Sequence, residues 1–280
     1  MIVTSIALLS IFAGCSKKAA QKDFILATGG TSGTYYPFGG AMAQVWNDGI
    51  EGMTVTAQAT GASAENLRLI GKSEAEFAIV QNDVMYYAYS GTDMYAEKAP
   101  YENYSAVMSC YPEYVQIIAN KNITSIDDLK GKKVSVGDAG SGVEFNARQI
   151  LAAYGIDIDS DITKNNQGFA DSADSLKNGT IDAAFVVAGY PTTAVAELAY
   201  TYNFNILAVD QEHADALMAD YGFYTYGVIP CNTYSGVAED VPAVAVMATI
   251  IARNDVSEDT IYNFVKGMFD YQAAITTGHA

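Results

Sequence analysis

The sequence predicts an α/β protein built on a mostly parallel sheet, on three observations. Short apolar runs alternate with helical segments along the chain, giving a repeated β-α-β-α-β order. Strand-like runs twice feed a glycine-rich turn that opens a helix. Hydrophobic residues make up 50% of the chain, enough for a sizeable core.

The elements follow in order. Phe24-Ile25-Leu26-Ala27-Thr28 is a short apolar run, followed by Gly29-Gly30-Thr31-Ser32-Gly33. Tyr36, Ala43, Val45 and Trp46 then mark a helix from about Thr34 to Asn47. Met53 to Ala59 alternates as a strand does, Ala62 to Ile70 is helical, and Phe77-Ala78-Ile79-Val80 is a buried strand ended by Gln81-Asn82-Asp83. Val115 to Ala119 is the next strand, and Ser125-Ile126-Asp127-Asp128 has the form of a capping box. Lys132 to Val136 is a strand that enters Gly137-Asp138-Ala139-Gly140-Ser141-Gly142 and a helix from Val143 to about Tyr154. Ser172 to Lys177 reads as helix, Ile181 to Val187 as strand, Thr192 to Tyr200 as helix and Ile206 to Val209 as strand. Val244 to Ile251 is a buried apolar segment of either type, and Ile261 to Phe269 is an amphipathic helix.

With 280 residues the chain has room for two α/β lobes or one large domain. The 32 acidic against 15 basic residues give a formal charge of −17. A nucleic-acid binder needs a basic footprint and the chain has no Lys/Arg-rich run, so that class is excluded, as is attraction to an anionic bilayer. The 20 tyrosines, against 11 phenylalanines and one tryptophan, offer apolar area with a polar tip, which suits a ligand cleft as well as a core.

Met1 to Ala13 is almost wholly apolar, too short to span a bilayer but as long as the apolar part of an export signal. Phe12-Ala13-Gly14-Cys15 and the polar Ser16-Lys17-Lys18 tether resemble a bacterial lipoprotein signal. The expectation is a signal peptide over 1–14 with Cys15 as the lipid anchor, placing the protein outside the cytoplasm. Cys110 and Cys231 remain, expected as two buried free thiols, with a disulfide between them outside the cytoplasm as the alternative, and the lack of a Cys-x-x-Cys or Cys/His cluster predicts no structural metal.

The two glycine-rich turns carry the chemistry. A helix N-terminus leaves N–H groups unpaired and a partial positive charge. Glycine lets an anion approach the backbone, and hydroxyls add donors. Thr31, Ser32 and Thr34 in one turn and Ser141 in the other fit this, and turns of this type lie at the carboxyl ends of strands, where open α/β sheets bind ligands. Catalytic motifs are incomplete. Gly71-Lys72-Ser73 has Asn66 where a phosphate-binding loop needs glycine, and Ala139 stands where a nucleophile elbow needs one. Asp157, Asp159 and Asp161 begin like a calcium loop but continue with Ile162 and end on Gly168. His213 and His279 are the only histidines, so the chain reads as a binding protein without cofactor rather than an enzyme; Glu113, Glu144 and Asp138 are the acid–base groups an enzyme would have to use.

Thr28-Gly29-Gly30-Thr31-Ser32-Gly33-Thr34-Tyr35-Tyr36-Pro37-Phe38-Gly39-Gly40 resembles the opening motif of the TAXI-type solute receptors of TRAP transporters. Ala59 to Leu67, Val80 to Asp83, Tyr111-Pro112-Glu113, Leu129 to Gly137, Gly140 to Arg148 and Ile181 to Phe185 resemble later blocks of that family. The resemblance implies a type II periplasmic-binding-protein fold: two α/β lobes, 23–113 with 226–280 and 114–225, joined by crossover strands and closing over a small carboxylate such as a glutamate-like amino acid or oxoacid. It implies docking on TRAP-type membrane permease subunits and a C-terminal segment beyond His279; the chain is expected to be a monomer. Carried over by match, the ligand-binding residues are Thr31, Ser32, Gly33, Tyr36, Gln81, Asn82, Tyr111, Ser141, Gly142 and Tyr190; Arg148, two turns into its helix, reads as a surface charge. An ABC-type receptor with the same fold, or a sensor domain for a signalling partner, are the alternatives.

Overall fold

The computed structural model describes residues 22–98 and 100–279, so the expected export signal and Cys15 lie outside the described residues. The first half of the chain contains β1 (Lys22–Ala27), α1 (Tyr35–Gly49), β2 (Met53–Gln58), α2 (Ser63–Gly71), β3 (Phe77–Gln81) and α3 (Asn82–Ser90). Then come β4 (Tyr104–Asn120), β5 (Lys133–Ser135), α4 (Val143–Ala153), β6 (Thr163–Asn165), α5 (Phe169–Lys177), β7 (Ala183–Ala188), α6 (Thr193–Thr201) and β8 (Phe204–Leu207). The chain continues through α7 (Gln211–Asp220), β9 (Thr225–Ile229), β10 (Val241–Arg253), α8 (Glu258–Asp270) and α9 (Gln272–His279). No helix among the described residues is long and apolar enough to cross a membrane.

The strands form one ten-stranded sheet with the order β2-β1-β3-β10-β4-β7-β5-β6, with β8 pairing β4 and β9 pairing β10. The parallel pairing expected from the β-α-β pattern holds at the two flanks, where β1 lies between β2 and β3 and β5 lies between β6 and β7. The centre is antiparallel, a correction to the mostly parallel sheet. There β4 and β10 run alongside each other from Tyr104↔Arg253 to Tyr114↔Ala245, and each also pairs with a flanking group. Long-range pairing of this kind leaves no local sequence period. This is why Tyr104 to Tyr114, mostly polar or half-buried, is not legible as strand, and why Val244 to Ile251 is equally compatible with helix.

Apolar residues gather in separate cores on either side of this centre. One unites Phe24, Met42, Trp46, Phe77 and Phe264; another unites Ile117, Val134, Ile150, Leu151 and Phe185. In the first, the Trp46 and Phe77 rings both stack on Phe264, at 3.7 and 4.1 Å between centroids, and Trp46 Nε1 donates to the Phe264 carbonyl at 3.0 Å. Rings that bury this much apolar area fix α8 onto α1 and the sheet.

Smaller expectations resolve as follows. Asp128 does reach back, its carboxylate accepting the Thr124 and Ser125 N–H groups at 3.0 and 3.1 Å ahead of a single 3-10 turn. Both described cysteines are free thiols, but neither is fully buried: Cys110 is half-buried and Cys231 is exposed. Burial pushes the Cys110 thiol up to about 12. Arg148 is a surface charge that pairs with Asp159 at 2.6 Å and with Glu144 at 3.6 Å. His213 stacks on Tyr154 and contacts Asp210 at 2.7 Å, away from any cavity described below.

Candidate functional site

The turns β1–α1, β2–α2, β5–α4 and β6–α5 each follow a strand of a parallel pair and each open a helix, so they collect on the same edge of the sheet. Between them lies a cavity of about 220 Å³. Its wall includes Gly29 to Tyr35, Thr60 to Ser63, Asp138, Ser141 to Val143 and Gly168 to Asp171. Gln81 at the end of β3, Glu113 in β4, and Val187 and Ala188 in β7 also line it. The N-termini of α1, α2, α4 and α5 therefore all face one small space.

Local chemistry holds these turns in place. Asn66, fully buried, donates through Nδ2 to the carbonyls of Thr28 and Ile79 at 2.6 and 2.8 Å, tying α2 to β1 and β3. Thr60 Oγ1 donates to Asn66 Oδ1 and accepts from the Ala62 N–H, which sets the entry to α2. Ser63 Oγ accepts the Gln81 N–H at 3.1 Å. Glycine is required at 137 and 140, where φ is +89° and +83°. At Gly142 the φ is ordinary, but an added Cβ would collide with the Gln81 carboxamide.

The turns also touch across the cavity. The Gly140 carbonyl accepts the N–H groups of Ala64 and Glu65 at the start of α2. The Ser32 carbonyl accepts the Ala194 N–H at 3.2 Å, and Thr34 Oγ1 donates to the Gly189 carbonyl at 3.4 Å.

Two polar atoms on the wall are left unsatisfied. Ser141 Oγ and Gln81 Oε1 are buried and have no hydrogen-bond partner. A buried polar atom without a partner costs about 1–3 kcal/mol, so such atoms in a cavity wall mark where a ligand or water bonds. Among the described residues no Lys, Arg or His lines the cavity. Its titratable groups are Tyr35, Asp138, Asp171 and Glu113, and Asp138 and Asp171 are exposed at the rim. Glu113 is 1% exposed, and the Tyr35 hydroxyl donates to its Oε2 at 2.8 Å. Burial holds the Glu113 carboxyl well above the ordinary range, partly offset by the Tyr35 bond and raised further by Asp83. Burial, then Glu113 itself, raises Tyr35 in turn.

Of the residues expected to bind ligand, Thr31, Ser32, Gly33, Gln81, Ser141 and Gly142 line this cavity. The others do not join them. Asn82 Oδ1 accepts the Met247 N–H at 2.9 Å and so ties α3 to β10. Tyr111 packs edge-on against Phe38 at 5.3 Å, and Tyr190 packs against Tyr114 at 4.9 Å; both line a separate open groove. Tyr36 lines neither space. An aromatic near a turn carries no sign of which way its ring faces, so these positions follow tertiary packing. The sequence reading missed Tyr35, Thr60 to Ser63, Gly168 and Phe169. The turns β2–α2 and β6–α5 carry the same strand-to-helix signal as the turns it used, but with less glycine.

Comparison with known proteins agrees with this architecture. The model of the NMT1-like family matches residues 26–280. The fold is similar to that of the periplasmic aliphatic sulphonate binding protein of Escherichia coli, with a TM-score of 0.54 and 14% identity over 92% of this chain and 73% of that one. It is also similar to a binding protein component of an ABC phosphonate transporter from Pseudomonas aeruginosa, with a TM-score of 0.52 and 14% identity over 90% of this chain and 76% of that one. The architecture is thus that of the periplasmic binding proteins.

Proposed function

The chain belongs to the NMT1-like family, and on that premise we propose that it is an extracytoplasmic solute-binding receptor that captures a small anion-bearing metabolite and hands it to a membrane transporter. The observation that carries this reading is the convergence of helix N-termini on a small cavity whose wall holds the unpartnered Ser141 Oγ and Gln81 Oε1. Each helix end presents roughly half a positive charge and free N–H groups, so an oxyanion is held by neutral donors without an arginine. A cavity of about 220 Å³ has the room of roughly seven waters, the size of an amino acid or a short organic acid.

We take residues 23–113 with 226–280 as one lobe and 114–225 as the other, joined by β4 and β10. The separate cores and the contacts across the cavity support a ligand that binds the closed form best and shifts the population toward it. The protein works by binding and has no catalytic step.

The transporter is read as ABC-type, because the structural neighbours named above include an ABC transporter component and both are named for small oxyanions, a sulphonate and a phosphonate. A TRAP-type partner is the second reading, favoured by the resemblance of the Thr28 to Gly40 block and the later blocks. Transport reconstituted with the neighbouring membrane subunits separates them: dependence on ATP supports the first reading, dependence on an ion gradient the second. The receptor reading itself is tested by thermal shift against carboxylates, sulphonates, phosphonates and sugars. A ligand at a hundred times its Kd adds about 2.7 kcal/mol. A selective rise with one oxyanion supports it, and a folded chain that responds to none refutes it.

A further inference from the structure

Resting on the receptor reading above, we propose that Glu113 is the specificity-determining residue of the cavity, and that it pairs with a primary ammonium group on a ligand that also carries an oxyanion. The ligand class is then a zwitterionic amino acid, in preference to the oxo or hydroxy acid of the same skeleton.

The argument starts from a carboxyl group where one is costly. Glu113 is almost fully buried in β4, at the inner wall of the cavity, and an ionised carboxylate there requires a counter-charge. Among the described residues none is offered: no basic residue lines the cavity, and the groups that act on Glu113 are the Tyr35 hydroxyl, through one hydrogen bond, and the like-charged Asp83. Burial favours the neutral acid over an unpaired carboxylate, which is how an isolated buried acid avoids the cost of its charge. An arriving ammonium reverses that balance: Glu113 releases its proton to solvent and pairs with the cation, and the Tyr35 hydroxyl continues to support the carboxylate. The helix N-termini are left for the ligand's oxyanion, while Val143, Phe169, Val187 and Ala188 give its carbon skeleton an apolar wall. A second negative charge on the ligand would meet the rim carboxylates of Asp138 and Asp171.

The test is isothermal titration of the purified protein with matched triplets: alanine, lactate and pyruvate; leucine, 2-hydroxyisocaproate and 4-methyl-2-oxopentanoate; glutamate, 2-hydroxyglutarate and 2-oxoglutarate. One amino acid is expected to bind at least about tenfold tighter than its hydroxy and oxo partners, which bring no cation to form a close charge pair with Glu113. Its binding enthalpy should vary with buffer at neutral pH as Glu113 gives up its proton. Glu113→Gln keeps an acceptor for Tyr35 and should abolish both the preference and the buffer dependence. A hydroxy or oxo acid that binds as tightly as its amino acid overturns the proposal and leaves the receptor reading standing. Unchanged amino-acid affinity in Glu113→Gln also overturns it, and a folded protein that binds no oxyanion of any kind overturns both.

Discussion

The carbonyl oxygen of Gly140 accepts the backbone N–H of Ala64 at 3.0 Å, and that of Glu65 at the same distance, so the turn before α4 caps helix α2 from across the cavity. The groups that would be orphaned at the start of α2 are thereby satisfied by a distant part of the chain. The contact holds only while the two glycine-bearing edges stay together, so under the lobe closure proposed above it serves as the marker.

Closure can be blocked at a neighbouring residue without straining the backbone. Gly142 has φ −77°, which any residue adopts, yet a Cβ there meets the Gln81 carboxamide. Gly142→Ala should lower ligand affinity by at least about tenfold, the cost of an overpacked contact of 1–3 kcal/mol. It should leave the unfolding midpoint of the ligand-free protein within a few degrees. Small-angle scattering is expected to show that the variant no longer compacts on adding ligand; unchanged compaction would contradict the closure role.

Ser141 separates binding from folding in another way. Its hydroxyl is buried and has no hydrogen-bond partner within the protein, so Ser141→Ala removes an unsatisfied group and should be neutral or slightly stabilising in thermal unfolding. Affinity should fall about three- to tenfold, the worth of one hydrogen bond. A variant that loses stability while keeping affinity would place the hydroxyl in the scaffold and not in the site.

A second buried polar network predicts a pH dependence. Asp83 in α3 accepts from Asn146 Nδ2 at 2.9 Å, Asn146 also donates to the Tyr224 hydroxyl, and Tyr224 donates to Gln149, which reaches Tyr87 and Asp93. Asp83 Oδ1 and Asn146 Oδ1 both lack a donor. Burial raises the Asp83 carboxyl to about 6 from 3.8, with a smaller push from Asp93. A folded value above the unfolded one means that the folded state holds the proton longer. The contribution of this group to stability is therefore full below about pH 4 and declines as pH rises through 6, by up to about 3 kcal/mol; Glu113 acts in the same direction. Asp83→Asn supplies the missing donor and should raise the denaturant midpoint at pH 7.5 while changing it little at pH 4. Equal effects at both pH values would exclude Asp83 as the titrating group.

The ring stack around Phe264 gives a stability test with its own optical readout. Phe264 is fully buried between Trp46 and Phe77. Phe264→Ala should cost about 3–5 kcal/mol in denaturant unfolding. Trp46 is the only tryptophan, so its emission should shift to longer wavelength in the folded variant as water reaches the vacated space.

The sequence by itself determined the alternation of strands and helices, the approximate limits of α1, α2 and α4, and the glycine turns with Thr31, Ser32, Gly33, Ser141 and Gly142. These are set by local physics: side-chain periodicity, the helix start and the backbone freedom of glycine leave their mark within a few residues. Only the tertiary structure decided the rest. The run from Tyr104 to Tyr114 is a strand because β10, more than a hundred residues later, supplies its hydrogen bonds. Asn82 became a tie to Met247, and Tyr111 and Tyr190 turned to another groove, because the direction of a side chain depends on what packs around it. Glu113 acquired its significance in the same way. In sequence it is one acid–base candidate beside Glu144 and Asp138, and folding buried it in the cavity wall with one hydrogen bond.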